Sequence, residues 1–329
     1  MVTIDIHAHV LTEDMMARLG EADAVHAPRL EERQAEQATL VVGTFRFPAF
    51  PRGGWDVARR LADMDATGVA VQALSVVPFT YLYELEPALG ATFSRIQNDA
   101  IAALVRDHPT RFVGLATLPL QDPLVAADEL RRACGELGLR GFAMGTNVAG
   151  RNLDDPALAP VWAAAAEVGA FVFVHPQSVA AAERLGRYYL INLIGNPLDT
   201  SIAAASLVFG GVLERHPRLT VCLAHGGGFV PYQRGRWEHG WRVRAEPRQS
   251  LRRDPAASLN RFLYDTILHS PAALEYLVQT AGADRVLLGS DYPFDMGPSD
   301  PVAAVRGAVR GAAQQQAILG NTAAGLLGM

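Results

Sequence analysis

The chain of 329 residues is half apolar and carries a formal net charge of −5, from 29 basic and 34 acidic side chains spread along its length. No basic stripe marks a nucleic-acid surface, and no run approaches the ~18 apolar residues that cross a bilayer. Neither nucleic acid nor membrane is therefore expected as a partner.

In chain order, the first β-type run is Val2–Val10, which alternates so that Asp5, His7 and His9 share one face and Ile4, Ile6 and Ala8 the other. Polar side chains on one face of an apolar strand need a partner once buried. A divalent metal is the simplest, because neutral imidazoles on one face can converge on one ion. A surface strand with two solvated histidines is the other reading. Seven further runs follow: Val69–Val77, Phe112–Leu118, Gly141–Thr146, Ala170–His175, Thr220–His225, Phe262–Ile267 and Val286–Ser290. Between them, Ala88–Asp107, Val125–Leu137, Ala157–Val168 and Ile202–Arg215 show apolar residues at helical spacing. Continuously apolar stretches such as Phe171–Val174 suit strands buried on both faces of a parallel sheet. Strands alternating with helices predict an α/β fold, a (β/α)8 TIM barrel that takes residues 1–329 as one domain.

Three segments depart from the repeat. Residues 11–55 form an insertion after strand 1, with the Pro/Gly/aromatic stretch Val41–Pro48, and are expected to build part of a substrate pocket. Gln177–Thr200 carries Tyr188, Tyr189, Asn196 and Asp199, and the Arg-rich His239–Asn260 reads as a solvated loop or interface rim. His108 and His216 each stand in a His-Pro step between a helix end and a strand, and His26, His239 and His269 lack a partner motif; all five read as structural. Cys134 and Cys222 lie in apolar stretches without metal-type spacing, and the start of the chain has no basic segment leading into a long apolar one. Reduced thiols in a cytoplasmic protein are expected.

Reactive residues of a barrel lie where strands end on the strand-to-helix side. Those ends carry His7 and His9, His175, His225 and Asp291, so four of the nine histidines fall on strand tips with an aspartate closing the ring. Imidazoles with a carboxylate, and room for a water, suit a divalent ion such as zinc. His225 opens the run Gly226-Gly227-Gly228, whose bare backbone admits a ligand or water. It is favoured as the general base toward metal-bound water; a further metal ligand is the alternative.

The motifs His7-Ala8-His9, His175-Pro176, His225-Gly226-Gly227-Gly228 and Gly289-Ser290-Asp291-Tyr292-Pro293-Phe294, in this order, resemble the amidohydrolase superfamily. More narrowly, they resemble its branch of metal-dependent decarboxylases related to 2-amino-3-carboxymuconate 6-semialdehyde decarboxylase. Ala24–Pro28, Met64–Val69, Leu118–Asp122 and Asn196–Thr200 add to the likeness. The resemblance implies Zn²⁺, with Mn²⁺ as the other option, held by His7, His9, His175 and Asp291, and catalysis by His225 and Asp291. It implies loss of CO2, without oxidation, from an aromatic or dienoic, carboxymuconate-like acid after protonation at the carbon bearing the carboxylate. It also implies a homodimer, because Arg236 matches an arginine that reaches the neighbouring subunit's site.

The insertion departs from the family pattern. An ungapped comparison puts Thr44 and Pro48 where the family has a pocket lysine and arginine, with Arg46 or Arg52 as the nearest substitutes. Arg46, Arg236, Tyr188 and Phe294 are the expected substrate-binding residues. Asp265, at the end of the seventh run, would orient a ligand histidine or make a structural hydrogen bond. Hydrolysis or hydration of a related unsaturated acid is the alternative reaction. An amide hydrolase of the carboxylated-lysine type fits less well, since Gly141–Thr146 has no lysine. A catalytically silent small-molecule binder is the reading outside enzymes.

Overall fold

Strand β1 (Ile4–Val10) is buried along its whole length. Ile4, Ile6 and Ala8 belong to the apolar side, while Asp5, His7 and His9 are equally inaccessible on the other. The structure, a computed structural model, describes residues 2–329. The other strands are β2 (Pro28–Glu31), β3 (Gln37–Val42), β4 (Phe45–Pro51), β5 (Val71–Val76), β6 (Phe112–Gly114), β7 (Gly141–Gly145), β8 (Phe171–His175), β9 (Thr220–Leu223), β10 (Leu263–Asp265) and β11 (Val286–Leu287).

Two parallel sheets, in the orders β1-β5-β6 and β11-β10-β9-β8-β7, make up the barrel. An Ala116–Phe142 bridge joins them on one side and an Ala8–Tyr292 bridge on the other. Backbone bonds from Ile6 N–H to Leu288 O (2.9 Å) and from His9 N–H to Tyr292 O (2.7 Å) complete the closure. The result is the eight-stranded parallel barrel that the alternation of strands and helices predicts. β11 is shorter than Val286–Ser290 because the chain beyond Leu287 bonds to β1 one residue at a time rather than as a ladder.

The expected Ile202–Arg215 helix is two helices, Asn196–Phe209 and Val212–Arg215. The break falls at Gly211, whose φ of +70° and a hypothetical Cβ 2.6 Å from Ser250 O both require glycine. Elsewhere helix ends follow local chemistry. Asp56 caps Val57–Thr67 through the Arg59 N–H, and Gly68 ends it in the left-handed region. His108 and His216 are C-terminal caps of helices. Cys222 is buried and Cys134 partly so, both as free thiols. Among the described residues no helix is long and apolar enough to cross a membrane.

Within residues 11–55, Thr12 caps the helix Glu13–Ala22, and β2-β3-β4 form a separate antiparallel sheet. Its β3–β4 tip sets Val42 opposite Phe45, Val41 opposite Arg46 and Leu40 opposite Phe47.

The tips of the first, seventh and eighth barrel strands meet at Gly289, where an added Cβ would lie 2.9 Å from Asp265 Cβ and 3.2 Å from His7 Cβ. Neither neighbour can rotate away, since both atoms are fixed by their own backbones. Gly289→Ala is expected to cost about 1–3 kcal/mol by overpacking, read as a lower denaturant midpoint. A midpoint equal to wild type would contradict this packing.

Candidate active site

His7 and His9 point from β1 into the barrel mouth, His175 ends β8, His225 follows β9 and Asp291 follows β11. Asp291 Oδ1 lies 3.1 Å from His7 Nε2, 3.2 Å from His9 Nε2 and 4.0 Å from His175 Nε2. Its second oxygen is 3.5 Å from His225 Nε2. One ligand atom each from His7, His175, His225 and Asp291 fit within 4.8 Å of one another. His9 Nε2 joins them at 3.1 Å from His7 Nε2. The five strand-tip residues are thus brought together.

Two of the five hold backbones that non-glycine residues avoid: His225 at φ +55° and Asp291 at φ +56°. Hydrogen bonds offset that strain. The N–H groups of His225 and Gly226 donate to the two oxygens of Asp265, each at 2.8 Å, and Asp291 N–H donates to His7 O at 2.9 Å.

The proton positions follow from the outer partners. His7 Nδ1–H donates to Asp265 at 2.7 Å, His9 Nδ1–H to Val76 O at 3.1 Å, and His175 Nδ1–H to Pro176 O at 3.0 Å. Carbonyl and carboxylate oxygens only accept, so each ring turns an Nε2 toward the centre. There His175 Nε2 and Asp291 Oδ1 are buried without a hydrogen-bond partner. Converging acceptors repel unless a cation joins them, and an imidazole–carboxylate set fits a divalent ion. Burial opposes charge on His7, but Asp291 and Asp265 outweigh it and push its pKa up to about 10. A metal ion would take the place of that proton. Burial also opposes the charge on Asp291, yet His7, His225 and His9 hold it well below the usual carboxylate range.

Beneath the site lies a network that the sequence did not single out as a unit. Buried Asp5 accepts from His7 N–H (3.0 Å), Ser290 N–H (3.1 Å), Ser290 Oγ–H (2.6 Å) and Gln72 Nε2–H (3.1 Å). Burial pushes its pKa up to about 6. The buried Arg60 guanidinium donates to Gln72 Oε1 at 2.8 Å and to the His9 carbonyl, and stacks over the Tyr292 ring. One polar chain therefore ties β1 to β5 and to the loop that presents Asp291. Asp5 was visible as a third polar residue on the β1 face. Nothing local distinguishes Arg60 from Arg59, which is half-exposed and ion-paired.

The site opens into a cavity of about 690 Å³ floored by His175, His225 and Asp291. Phe45, Phe47, Phe79 and Phe294 pack together as one wall, and Gln177, Tyr189, Asn192 and Asn196 also line the cavity. Arg46 and Phe294 line it; Tyr188 does not. Successive left-handed backbones at Tyr188 and Tyr189 turn their rings apart, so Tyr189 takes the wall while Tyr188 is 73% exposed with Arg187 over its ring. Arg236 is exposed on the helix Val230–Val243 and does not line the cavity of its own chain. Thr44 and Pro48 do not line it either.

An amidohydrolase family model matches residues 4–329. The chain belongs to the amidohydrolase family. It is 36% identical over 302 residues to 2-amino-3-carboxymuconate-6-semialdehyde decarboxylase of Dictyostelium discoideum, covering 91% of this chain and 83% of that one. It is 28% identical over 257 residues to gamma-resorcylate decarboxylase of Rhizobium sp., covering 72% and 76%. The crystal structure of 5-carboxyvanillate decarboxylase from Sphingomonas paucimobilis superposes with a TM-score of 0.86 at 26% identity, covering 100% of this chain and 99% of that one. A family of decarboxylases on this barrel agrees with a polar floor built from strand tips.

Asp265→Ala would remove the acceptor for His7 Nδ1 and for the His225 turn. It is expected to weaken divalent-metal binding by about 10–100-fold, measured by competition with a chromophoric chelator. Unchanged affinity would show that Asp265 does not orient the site.

Proposed function

We propose that the protein is a metal-dependent, non-oxidative carboxy-lyase acting on an aromatic or dienoic carboxylic acid. The observation that supports this is the convergence of His7, His9, His175, His225 and Asp291 at the cavity floor; we read the first three histidines and Asp291 as the ligands. We assign Zn²⁺ to the set, with Mn²⁺ as the competing ion, and read residues 1–329 as one working domain in the cytoplasm. Hydrolysis or hydration is not favoured, because the relatives above are decarboxylases.

A divalent ion held by these residues would supply Lewis-acid binding of the substrate's oxygens and so orient the acid over the floor. His225, expected from the sequence as the base toward metal-bound water, lies with Nε2 3.5 Å from an Asp291 oxygen, and we assign it the relay of a proton from that water to the substrate. That proton passes to the substrate carbon bearing the carboxylate, at the expense of a π electron pair. The bond to the carboxyl group then breaks, its electrons return to the π system, and CO2 departs. One proton is taken up from solvent through the cavity for each turnover. The aromatic wall, Phe294 above all, excludes water from the reacting face.

Arg236 completes the reading as a cation given across a homodimer interface to hold the substrate carboxylate. Its exposure, and its place outside the cavity of its own chain, support that role. Co-expressed His225→Ala and Arg236→Ala chains are then expected to release CO2 from mixed dimers although neither variant does so alone. Activity in neither mixture nor parent would refute the exchange.

His225→Ala is expected to lower kcat for CO2 release by about 10²–10⁴-fold while metal content per chain stays at the wild-type value. Loss of metal together with activity would instead make His225 a ligand. Chelator treatment is expected to abolish turnover. The ion that restores the higher kcat/KM, zinc or manganese, identifies the cofactor. Turnover by metal-free protein would overturn the proposal.

A further inference from the structure

The cavity floor sets the reaction, but its walls decide which acids reach it. Arg46 is the one arginine among the described residues lining the cavity, and the chain contains no lysine. That guanidinium is already engaged, with Nη1 2.7 Å from Glu31 and Nη2 3.4 Å from Glu32. The pairing is built into the sheet. Arg29 and Arg46 both lie opposite Val41, one from each neighbouring strand, and Glu31 follows two residues along the Arg29 strand. Arg29 donates to Glu31 at 2.9 Å as well. Two arginines and two glutamates thus offset one another at this rim.

Apart from the floor of His175, His225 and Asp291, the remaining lining is neutral. Phe45 and Phe47 meet Phe79 with ring centroids 4.5 and 5.5 Å apart, Phe47 meets Phe294 at 5.6 Å, and Phe294 reaches His9 at 5.6 Å. A continuous aromatic wall therefore runs from the floor to the hairpin. Elsewhere in the lining, Gln177, Asn192 and Asn196 offer uncharged donors and acceptors.

We infer that the cavity selects aromatic acids with a single carboxylate and otherwise neutral substituents, and rejects acids with a second carboxylate. This rests on the decarboxylase reading, in which the floor and a partner's Arg236 meet one carboxylate. The ring lies along the phenylalanine wall, where edge and face contacts add to apolar burial, and hydroxyl or carbonyl groups turn to the amides. A second carboxylate would leave water for phenyl rings, neutral amides or a guanidinium already bonded to two glutamates. Burying it unpaired is the discriminating cost.

The probes are 2-hydroxybenzoate, its 5-acetyl derivative and its 5-carboxy derivative, 4-hydroxyisophthalate. Binding to the metal-loaded protein is measured by calorimetry, and CO2 release separately. The first two are expected to bind at least about tenfold more tightly than the dicarboxylate. Glu31→Gln with Glu32→Gln, both changes on the exposed hairpin, frees Arg46 and is expected to narrow that gap by about tenfold through the dicarboxylate alone. Adding Arg46→Met to the double variant removes the gain. Equal or tighter wild-type binding of the dicarboxylate relative to the acetyl compound overturns the inference, as does failure of all three probes to bind. An unchanged ratio in the double variant overturns the role given to Arg46. Selective binding without CO2 release from any probe leaves the selectivity standing and refutes the decarboxylase reading instead.

Discussion

A single buried carboxylate holds the barrel mouth in shape. Asp265 accepts from His7 Nδ1 (2.7 Å) and His225 N–H (2.8 Å) on one oxygen, and from Gly226 N–H (2.8 Å) and Ile267 N–H (3.1 Å) on the other. Burial opposes its charge, but His7 and these donors lower its pKa and keep it ionised. One anion thereby sets the tautomer of the first-strand histidine and pins the left-handed turn that aims His225. Removing it would strand several buried donors at once, which is costlier than losing one bond.

Asp5 plays a matching part at the barrel seam, where β1 meets the strand-eight tip. Its four donors come from β1, β5 and Ser290, and Gln72 relays to Arg60, which grips the His9 carbonyl and the Tyr292 ring. A buried cation and a buried anion are thus joined through an amide rather than by direct contact. Burial lowers the Arg60 pKa to about 10, still far above neutrality, so the guanidinium remains charged. Both charges thereby bear on the backbone of β1, at His7 N–H and the His9 carbonyl, rather than on the two rings.

Most of this floor was legible in the sequence because it follows a strict rule: residues at strand tips on one face of a barrel converge. His9, His175, His225 and Asp291 each stand at the end of an apolar run, and His7 shares the face of His9 two residues earlier. What the sequence hid depends on contacts between distant segments. Arg60 becomes special only where its helix crosses β1 and β5. The choice between Tyr188 and Tyr189 turns on two consecutive left-handed residues in an irregular segment, which side-chain type does not encode. The state of Arg46 depends on β2 and β4 both pairing with β3, so that Glu31 arrives beside it.

Floor and wall are consequently separable. Among the described residues, none of the side-chain hydrogen bonds of His7, His9, His175, Asp265 or Asp291 reaches the insertion between residues 11 and 55. The insertion touches the site through apolar contacts, as where Phe47 and Phe50 pack on Phe294. Such contacts tolerate exchange of size and charge at the rim far better than a hydrogen-bonded cluster tolerates loss of a partner. Substitutions at Glu31, Glu32 or Arg46 can therefore change which acid enters without displacing the cluster of His7, His9, His175, His225 and Asp291. On this barrel, reaction and selectivity are carried by different kinds of interaction, and only the first is locked by buried charge.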